Sequence, residues 1–151
     1  EAPPRSVAAM LRVKEVERVL ARAMTDGLTN VMLVSDEGAL IAAARSEEAD
    51  HTASAVLASV YSEYKVAERF VEPVSGGGSP SSLQAILFDC EAARVACVSF
   101  VQCSEDSQIL LCVCSDKQTH YGVLWSKLEL LKESLKCLEP ILMPMAGAGS
   151  G

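Results

Sequence analysis

The sequence is short of positive charge, and this shortage excludes a class of partner. Only 13 Lys and Arg stand against 20 Asp and Glu among 151 residues, which gives a net charge of -7. A surface that binds phosphate groups in general needs clustered basic side chains, and this composition does not supply them. We therefore expect no nucleic acid partner.

The first nine residues lack the long apolar run of a signal peptide or a membrane span, and they contain Pro3 and Pro4. A cytosolic chain without direct membrane insertion is expected. We interpret residues 1–9 as a flexible leader, 10–142 as one domain and 143–151 as a flexible tail. A chain of 151 residues that is 50% hydrophobic can bury a substantial core without disulfides.

The six cysteines lack the spacing of a metal site. No C-x-x-C pair occurs, and the ligand spacings of a zinc finger with His51 or His120 are missing. Cys112 and Cys114 lie two positions apart in an apolar run, so on a strand they share one face, where thiols behave as small hydrophobic groups. We predict no metal, no cofactor and, in a reducing cytosol, no disulfide.

Catalytic signatures are also missing. The sequence has no G-x-S-x-G, no H-E-x-x-H and no cysteine nucleophile motif, and the Gly- and Ser-rich stretch 76–82 lacks the Lys of a phosphate-binding loop. A hydrolase or thiol enzyme that uses His51 or His120 is the alternative. His51 follows Asp50 where a helix is expected to start, and solvated polar residues are common there. We predict no catalytic residue and no enzyme activity.

Apolar periodicity predicts the order helix, two strands, helix, three strands, helix. Helical spacing predicts helices at residues 10–24, 50–69 and 123–138. Apolar runs between polar breaks predict strands at residues 31–34, 39–42, 83–88, 94–102 and 108–115. Asp26 and Gly27 are expected to end the first helix, and Pro140 to stop the last. Residues 72–82 are expected to form a mobile loop.

The second helix has an apolar arc that is expected to lie on the sheet, formed by Ala53, Val56, Leu57, Val60, Tyr61 and Tyr64. Beside it, Ser54, Ala58 and Tyr61 form a flank whose two small residues would let another helix approach closely. Ala and Ser also serve as ordinary fillers of a helix, so both interpretations stay open.

The third strand, residues 83–88, carries the functional interpretation. Both of its faces are mostly apolar, so helices are expected on both sides of the sheet. A meander of the last three strands leaves this strand at an edge, and it contains neither Lys nor Pro. Such an unprotected apolar edge favours pairing with another chain.

The element order, together with several sequence strings, resembles the Roadblock superfamily of dimerising light-chain and adaptor domains. The strings are residues 10–14, 36–40, 57–59, 86–91, 94–96 and 110–112. They are most similar to the family of second subunits of Ragulator, the late endosomal and lysosomal adaptor complex of mTOR and MAP-kinase signalling. The resemblance covers about residues 10–142.

The resemblance implies an α+β fold, with a five-stranded antiparallel sheet, the second helix on one face and the other two helices on the opposite face. It also implies that two domains join through their third strands and pack their second helices side by side. The implied interface residues are Ser54, Ala58, Tyr61, Leu83, Gln84, Ala85, Ile86, Leu87 and Phe88.

The implied function is that of a non-enzymatic adaptor. The expected partners are a sister roadblock subunit or a second copy of this chain, other Ragulator subunits and Rag-type GTPases, at the cytosolic face of late endosomes and lysosomes. The chain departs from the family at the Gly/Ser stretch 75–82, at a lengthened loop 103–107 and at Ala93. The departures in the two loops leave the identity of the partner open.

Two alternatives are a dynein-type roadblock light chain and a roadblock regulator of a small GTPase that acts as a homodimer. A GTPase activator would need an arginine finger, for which Arg94 is the right residue type. However, Arg94 opens an apolar strand close to Glu91, which favours a local ion pair instead.

Overall fold

The computed structural model describes residues 3–45, 47–67, 83–104, 107–140 and 142. The elements in chain order are α1 (Pro3–Arg22), β1 (Leu28–Ser35), β2 (Leu40–Ala43), α2 (Glu48–Ala67), β3 (Ala85–Asp89), β4 (Ala93–Ser104), β5 (Ser107–Asp116), α3 (Tyr121–Leu135) and a 3-10 turn at Lys136–Leu138. This order confirms the one that the periodicity predicts. None of the helices, over these ranges, is long and apolar enough to cross a membrane.

The five strands form one antiparallel sheet in the order β2-β1-β5-β4-β3. The long strands β1, β5 and β4 lie in the middle, and the short strands β2 and β3 form the two edges. Residues of strand three therefore lie at an edge, as the meander predicts. They pair on one side with β4, from Ala85 opposite Val98 to Asp89 opposite Arg94.

Helices cover both faces of the sheet. Successive side chains of a strand point to opposite faces, and on β1 Met32 and Val34 face α2, whereas Val31 and Leu33 face α1 and α3. The core between the sheet, α1 and α3 is the larger of the two. The predicted fold class, an α+β domain with one helix on one face and two on the other, is confirmed.

Several element ends differ from the predicted ones. Helix α1 begins at Pro3, so it includes residues 3–9, which the sequence analysis assigned to a leader before the domain. Proline suits a first helical turn, where its missing N–H would have no partner in any case. The helix also ends at Arg22, before the turn in which Asp26 and Gly27 take positive φ angles of 58° and 88°.

The third helix ends earlier than Pro140 alone predicts. Its α-helical part stops at Leu135, and the backbone then tightens into the 3-10 turn, in which the N–H of Glu139 donates to the carbonyl of Lys136. A proline ring clashes with the carbonyl four residues before it, which here is that of Lys136. Residues 139, 140 and 142 are helical again after this turn, so the expectation that Pro140 stops the last helix is wrong. Pro140 lies at the start of the helical residues that follow the turn, a position that proline suits.

The two loops that distinguish this chain from the family can be followed only in part. Residues 68–82, which include the Gly/Ser stretch, lie outside the described part of the chain. The predicted long loop at 103–107 is mostly strand instead, because β4 continues to Ser104 and pairs there with Ser107 of β5. Strand β3 begins at Ala85, so Leu83 and Gln84 precede the strand that was predicted to contain them.

Candidate partner interface

The outer edge of β3 is the first part of the candidate interface. In the described residues no strand pairs with this edge, because β3 is the last strand of the sheet. Alternate backbone groups of an edge strand point away from its one neighbour and are free to pair with another chain. Ile86 and Phe88 pack on the core under α2, and Ala85 packs on the opposite core. Leu87 remains 46% exposed.

The α2 residues that were predicted to meet a partner face this chain's own core. Ser54, Ala58 and Tyr61 are buried, with exposures of 0%, 3% and 1%. The hydroxyl of Tyr61 donates to the carbonyl of Leu83 over 3.3 Å. The helix is therefore rotated relative to the prediction, and a partner contact of these three side chains remains untested.

A different flank of α2 is exposed. Val56 is 56% exposed and Tyr64 is 58% exposed, while Ala53 and Val60 are half-buried. These four positions follow one another at intervals of three and four residues, so they form one apolar stripe along the helix. We call residues 53, 56, 60 and 64 the α2 stripe. Its residues belong to the apolar arc that was expected to lie on the sheet.

Hydrogen bonds place the two ends of α2 over opposite edges of the sheet. Near its start, Ser54 Oγ donates to the carbonyl of Gly38, in the turn that leads into the edge strand β2, over 2.9 Å. Towards its end, Tyr61 bonds to Leu83, just before β3. Tyr64 lies one turn beyond Tyr61, so the exposed end of the α2 stripe is on the part of the helix that bonds to the chain just before β3.

Charged residues interact at the C-terminal end of β3. Asp89 Oδ1 lies 3.5 Å from Nε of Arg94 and also accepts a hydrogen bond from Nζ of Lys117. The bond from Lys117 is the largest cause that lowers the pKa of Asp89 below its usual 3.8. The prediction that Arg94 pairs with Glu91 is therefore wrong, because the hairpin places Asp89 directly opposite Arg94.

Arg94 is held inside the fold. Its Nη1 donates to the carbonyl of Thr119 over 2.8 Å, and its guanidinium group lies 4.9 Å from the ring centre of Tyr121. A catalytic arginine finger has to project into a partner's active site. An arginine with these three local contacts does not have that freedom.

The two histidines lie apart on the surface. His51 is exposed in the first turns of α2, and its carbonyl oxygen lies 2.9 Å from Ser54 Oγ, whose one hydrogen it shares with the Gly38 carbonyl. His120 is exposed at the start of α3, where its side chain makes no capping bond. No group of three metal-binding side chains occurs in the described ranges. The absence of enzyme activity stays a prediction.

The comparisons with known proteins agree on the fold. No family model matches the sequence. A Roadblock/LC7 domain from Streptomyces avermitilis has a TM-score of 0.64 and 14% identity, over 84% of this chain and 97% of that one. The gliding protein MglB from Thermus thermophilus has a TM-score of 0.66 and 12% identity, over 85% and 91%.

A further MglB structure, described as having a tetrameric arrangement, has a TM-score of 0.67 and 13% identity, over 85% of this chain and 90% of that one. At these identities the likeness concerns the backbone fold. The sheet order, the placement of the three helices and these structural matches together show that the chain has the Roadblock/LC7 fold.

Proposed function

We propose that this protein is a non-enzymatic adaptor subunit that dimerises through the free edge of β3 and the α2 stripe. The proposal rests on the outer edge of β3, the last strand of the sheet. The strand is apolar and contains neither Lys nor Pro, and within the described ranges no strand pairs with its outer side, where Leu87 is exposed beside backbone groups that pair well with another strand. Proteins rarely leave such an edge unprotected unless a partner covers it.

The α2 stripe supports the same mode of assembly. If two copies of β3 pair edge to edge, the sheet continues from one domain into the next and the two α2 helices come to lie on the same face. Apolar side chains at helical spacing, such as Val56 and Tyr64, are suited to pack there. The tetrameric arrangement of the MglB structure is consistent with a fold that assembles with other copies.

The sequence strings support a more specific role. Residues 86–91 and 94–96, which resemble the Ragulator family, fall on β3 and on the start of β4. We propose on this basis that the partner is a sister roadblock subunit and that the pair helps to assemble a Ragulator-like complex. Such a complex would recruit Rag-type GTPases for mTOR and MAP-kinase signalling at late endosomes and lysosomes.

A homodimeric roadblock light chain or GTPase regulator is the alternative within the same fold. The local contacts of Arg94 with Asp89 and Thr119 count against an activator that inserts this arginine. Affinity purification from native cytosol, followed by identification of the chains that co-purify, tests the proposal. Roadblock subunits together with Rag-type GTPases support the adaptor role, whereas the absence of both contradicts the Ragulator assignment.

A second assay separates an adaptor from an activator. The rate of GTP hydrolysis by a co-purifying GTPase is measured with and without this protein. We expect the same rate in both cases, because Arg94, the candidate arginine finger, is held by Asp89 and Thr119. A stimulated rate that Arg94→Ala abolishes would contradict the adaptor role.

A further inference from the structure

Two cysteines face each other across the middle of the sheet. Cys97 of β4 is directly opposite Cys112 of β5, and their sulfur atoms are in contact, with Cys97 Sγ donating to Cys112 Sγ over 2.9 Å. Both residues are free thiols and both are 0% exposed. Directly opposed residues of antiparallel strands bring their Cβ atoms close to the separation that a disulfide requires.

A third thiol lies on the same face of the sheet. Cys114 is two positions after Cys112 on β5 and packs, partly buried, at the border of the core under α2. Cys97 and Cys112 belong to the buried cluster under α2, and Cys114 packs against that cluster. The layer beneath α2 thus contains a group of three sulfur atoms, of which Cys97 and Cys112 are in direct contact.

We propose that Cys97 and Cys112 form a redox pair, which a peroxide converts into a cross-strand disulfide. One sulfur attacks the peroxide, the O–O bond breaks, and a sulfenic acid forms with release of one water molecule. The second sulfur then displaces hydroxide, so that the S–S bond forms and a second water molecule leaves. The two thiols lose two protons and two electrons, and hydrogen peroxide is reduced to two molecules of water.

A dithiol reductant reverses the reaction by thiol–disulfide exchange and is itself oxidised to a disulfide. The result of the oxidation is a covalent link between β4 and β5 in the layer that carries α2. β4 is the strand that pairs with β3. The disulfide therefore fixes the strand next to β3, whose outer edge is the proposed interface.

Burial in the core under α2 slows the reaction. The contact with Cys97, together with burial, raises the pKa of Cys112, and burial raises the pKa of Cys114 to about 12. Thiols with raised pKa values stay protonated and react slowly. The pair is therefore stable as two thiols while α2 covers it, and it is oxidised when α2 moves away from the sheet.

Peptide mapping of the full chain tests this proposal. The folded protein is treated with hydrogen peroxide, the remaining thiols are alkylated after unfolding, and the chain is digested without reductant. We expect a linked pair of peptides that contain Cys97 and Cys112, a loss of about 2 Da from the two hydrogen atoms removed, and recovery of both thiols with dithiothreitol. We expect the exposed Cys137 to react with an alkylating reagent before the pair does.

The variants Cys97→Ala and Cys112→Ala are each expected to abolish the link, whereas Cys137→Ala, on the 3-10 turn, keeps it. The peptide map of the unsubstituted chain tests the link between Cys97 and Cys112 even if one of the core variants fails to fold. Links from Cys90 or Cys114 in place of the Cys97–Cys112 link would overturn the proposal. So would complete alkylation of Cys97 and Cys112 after a treatment that oxidises Cys137.

Discussion

The hydroxyl of Ser54 donates a 2.9 Å hydrogen bond to the carbonyl of Gly38, and this contact fastens the start of α2 to the turn between β1 and β2. Gly38 has a φ angle of 92°, and a Cβ atom added there would lie 2.9 Å from Cα of Ala55. Turn and helix therefore touch backbone to backbone. A small side chain at position 54 and a glycine at position 38 make this approach possible.

We expect Ser54→Ala to lower the free energy of unfolding by about 1–3 kcal/mol, because it leaves the buried Gly38 carbonyl without this donor. Gly38→Ala should cost at least as much, since it adds a strained φ angle and a backbone contact. Urea unfolding measures both changes. The control is Ser59→Ala, at an exposed position of the same helix, which should stay within about 0.5 kcal/mol. Equal effects at 54 and 59 would contradict the structural role of Ser54.

We expect stability to decrease in acid through Asp89. Its pKa in the folded protein is lowered from 3.8, chiefly by the bond from Lys117. A lowered pKa means that the contribution is complete above the unfolded value and is lost as the pH falls through the folded value. Melting temperatures of the unsubstituted chain and of Asp89→Asn should therefore converge below about pH 4. The neighbouring exposed Glu91→Gln serves as the control, and a constant difference at every pH would contradict the prediction.

Replacement of the buried thiol of Cys112 by a hydroxyl should be costly. We expect Cys112→Ser to destabilise the fold by about 1–3 kcal/mol, since a hydroxyl at a fully buried site lacks the polar partners that it requires. Cys137→Ser, at an exposed position, is the matched control and should leave the urea midpoint unchanged. An equal loss in both variants would show that the effect does not depend on burial.

A proline scan along β3 tests which backbone groups of the strand the domain itself uses. Alternate N–H groups point to β4 and to the free edge, so Ile86→Pro, Leu87→Pro and Phe88→Pro should alternate in their effect. Where the N–H points to β4, the substitution breaks the ladder and lowers stability. Where it points outward, the domain folds and loses its partner. Circular dichroism and a binding assay separate the two results, and three folded variants that still bind would exclude β3 as the interface.

The order of helices and strands could be predicted from the sequence, because apolar residues recur every three or four positions in a helix and every second position in a strand. The rotation of α2 could not. Its apolar arc is wide enough to include both the buried Tyr61 and the exposed Tyr64. The observed rotation includes long-range contacts such as the one between Ser54 and Gly38, which are sixteen residues apart in the chain. No local pattern contains that contact.

The partner of Arg94 illustrates the same limit of local patterns. Glu91 is closer to Arg94 in sequence than Asp89 is, but the hairpin register places Asp89 directly opposite the arginine. The edge position of β3, in contrast, follows from strand order alone and could be predicted. The Gly/Ser stretch 75–82 has no apolar periodicity from which an element could be predicted. It lies within residues 68–82, outside the part of the chain that the structure describes.

Sedimentation velocity of a Leu87→Asp variant tests the central claim most directly. It is measured over a range of concentrations, alone and with the roadblock chain that co-purifies, beside the unsubstituted protein and Leu130→Asp. Leu130 is 64% exposed on α3, beside Val19 and Ala23 of α1, so it controls for the loss of an exposed leucine. We predict that the unsubstituted chain and the Leu130 variant assemble, while a charge at Leu87 leaves a folded monomer. Assembly of the Leu87 variant to the same extent, or a monomeric unsubstituted chain under every condition, would contradict the account.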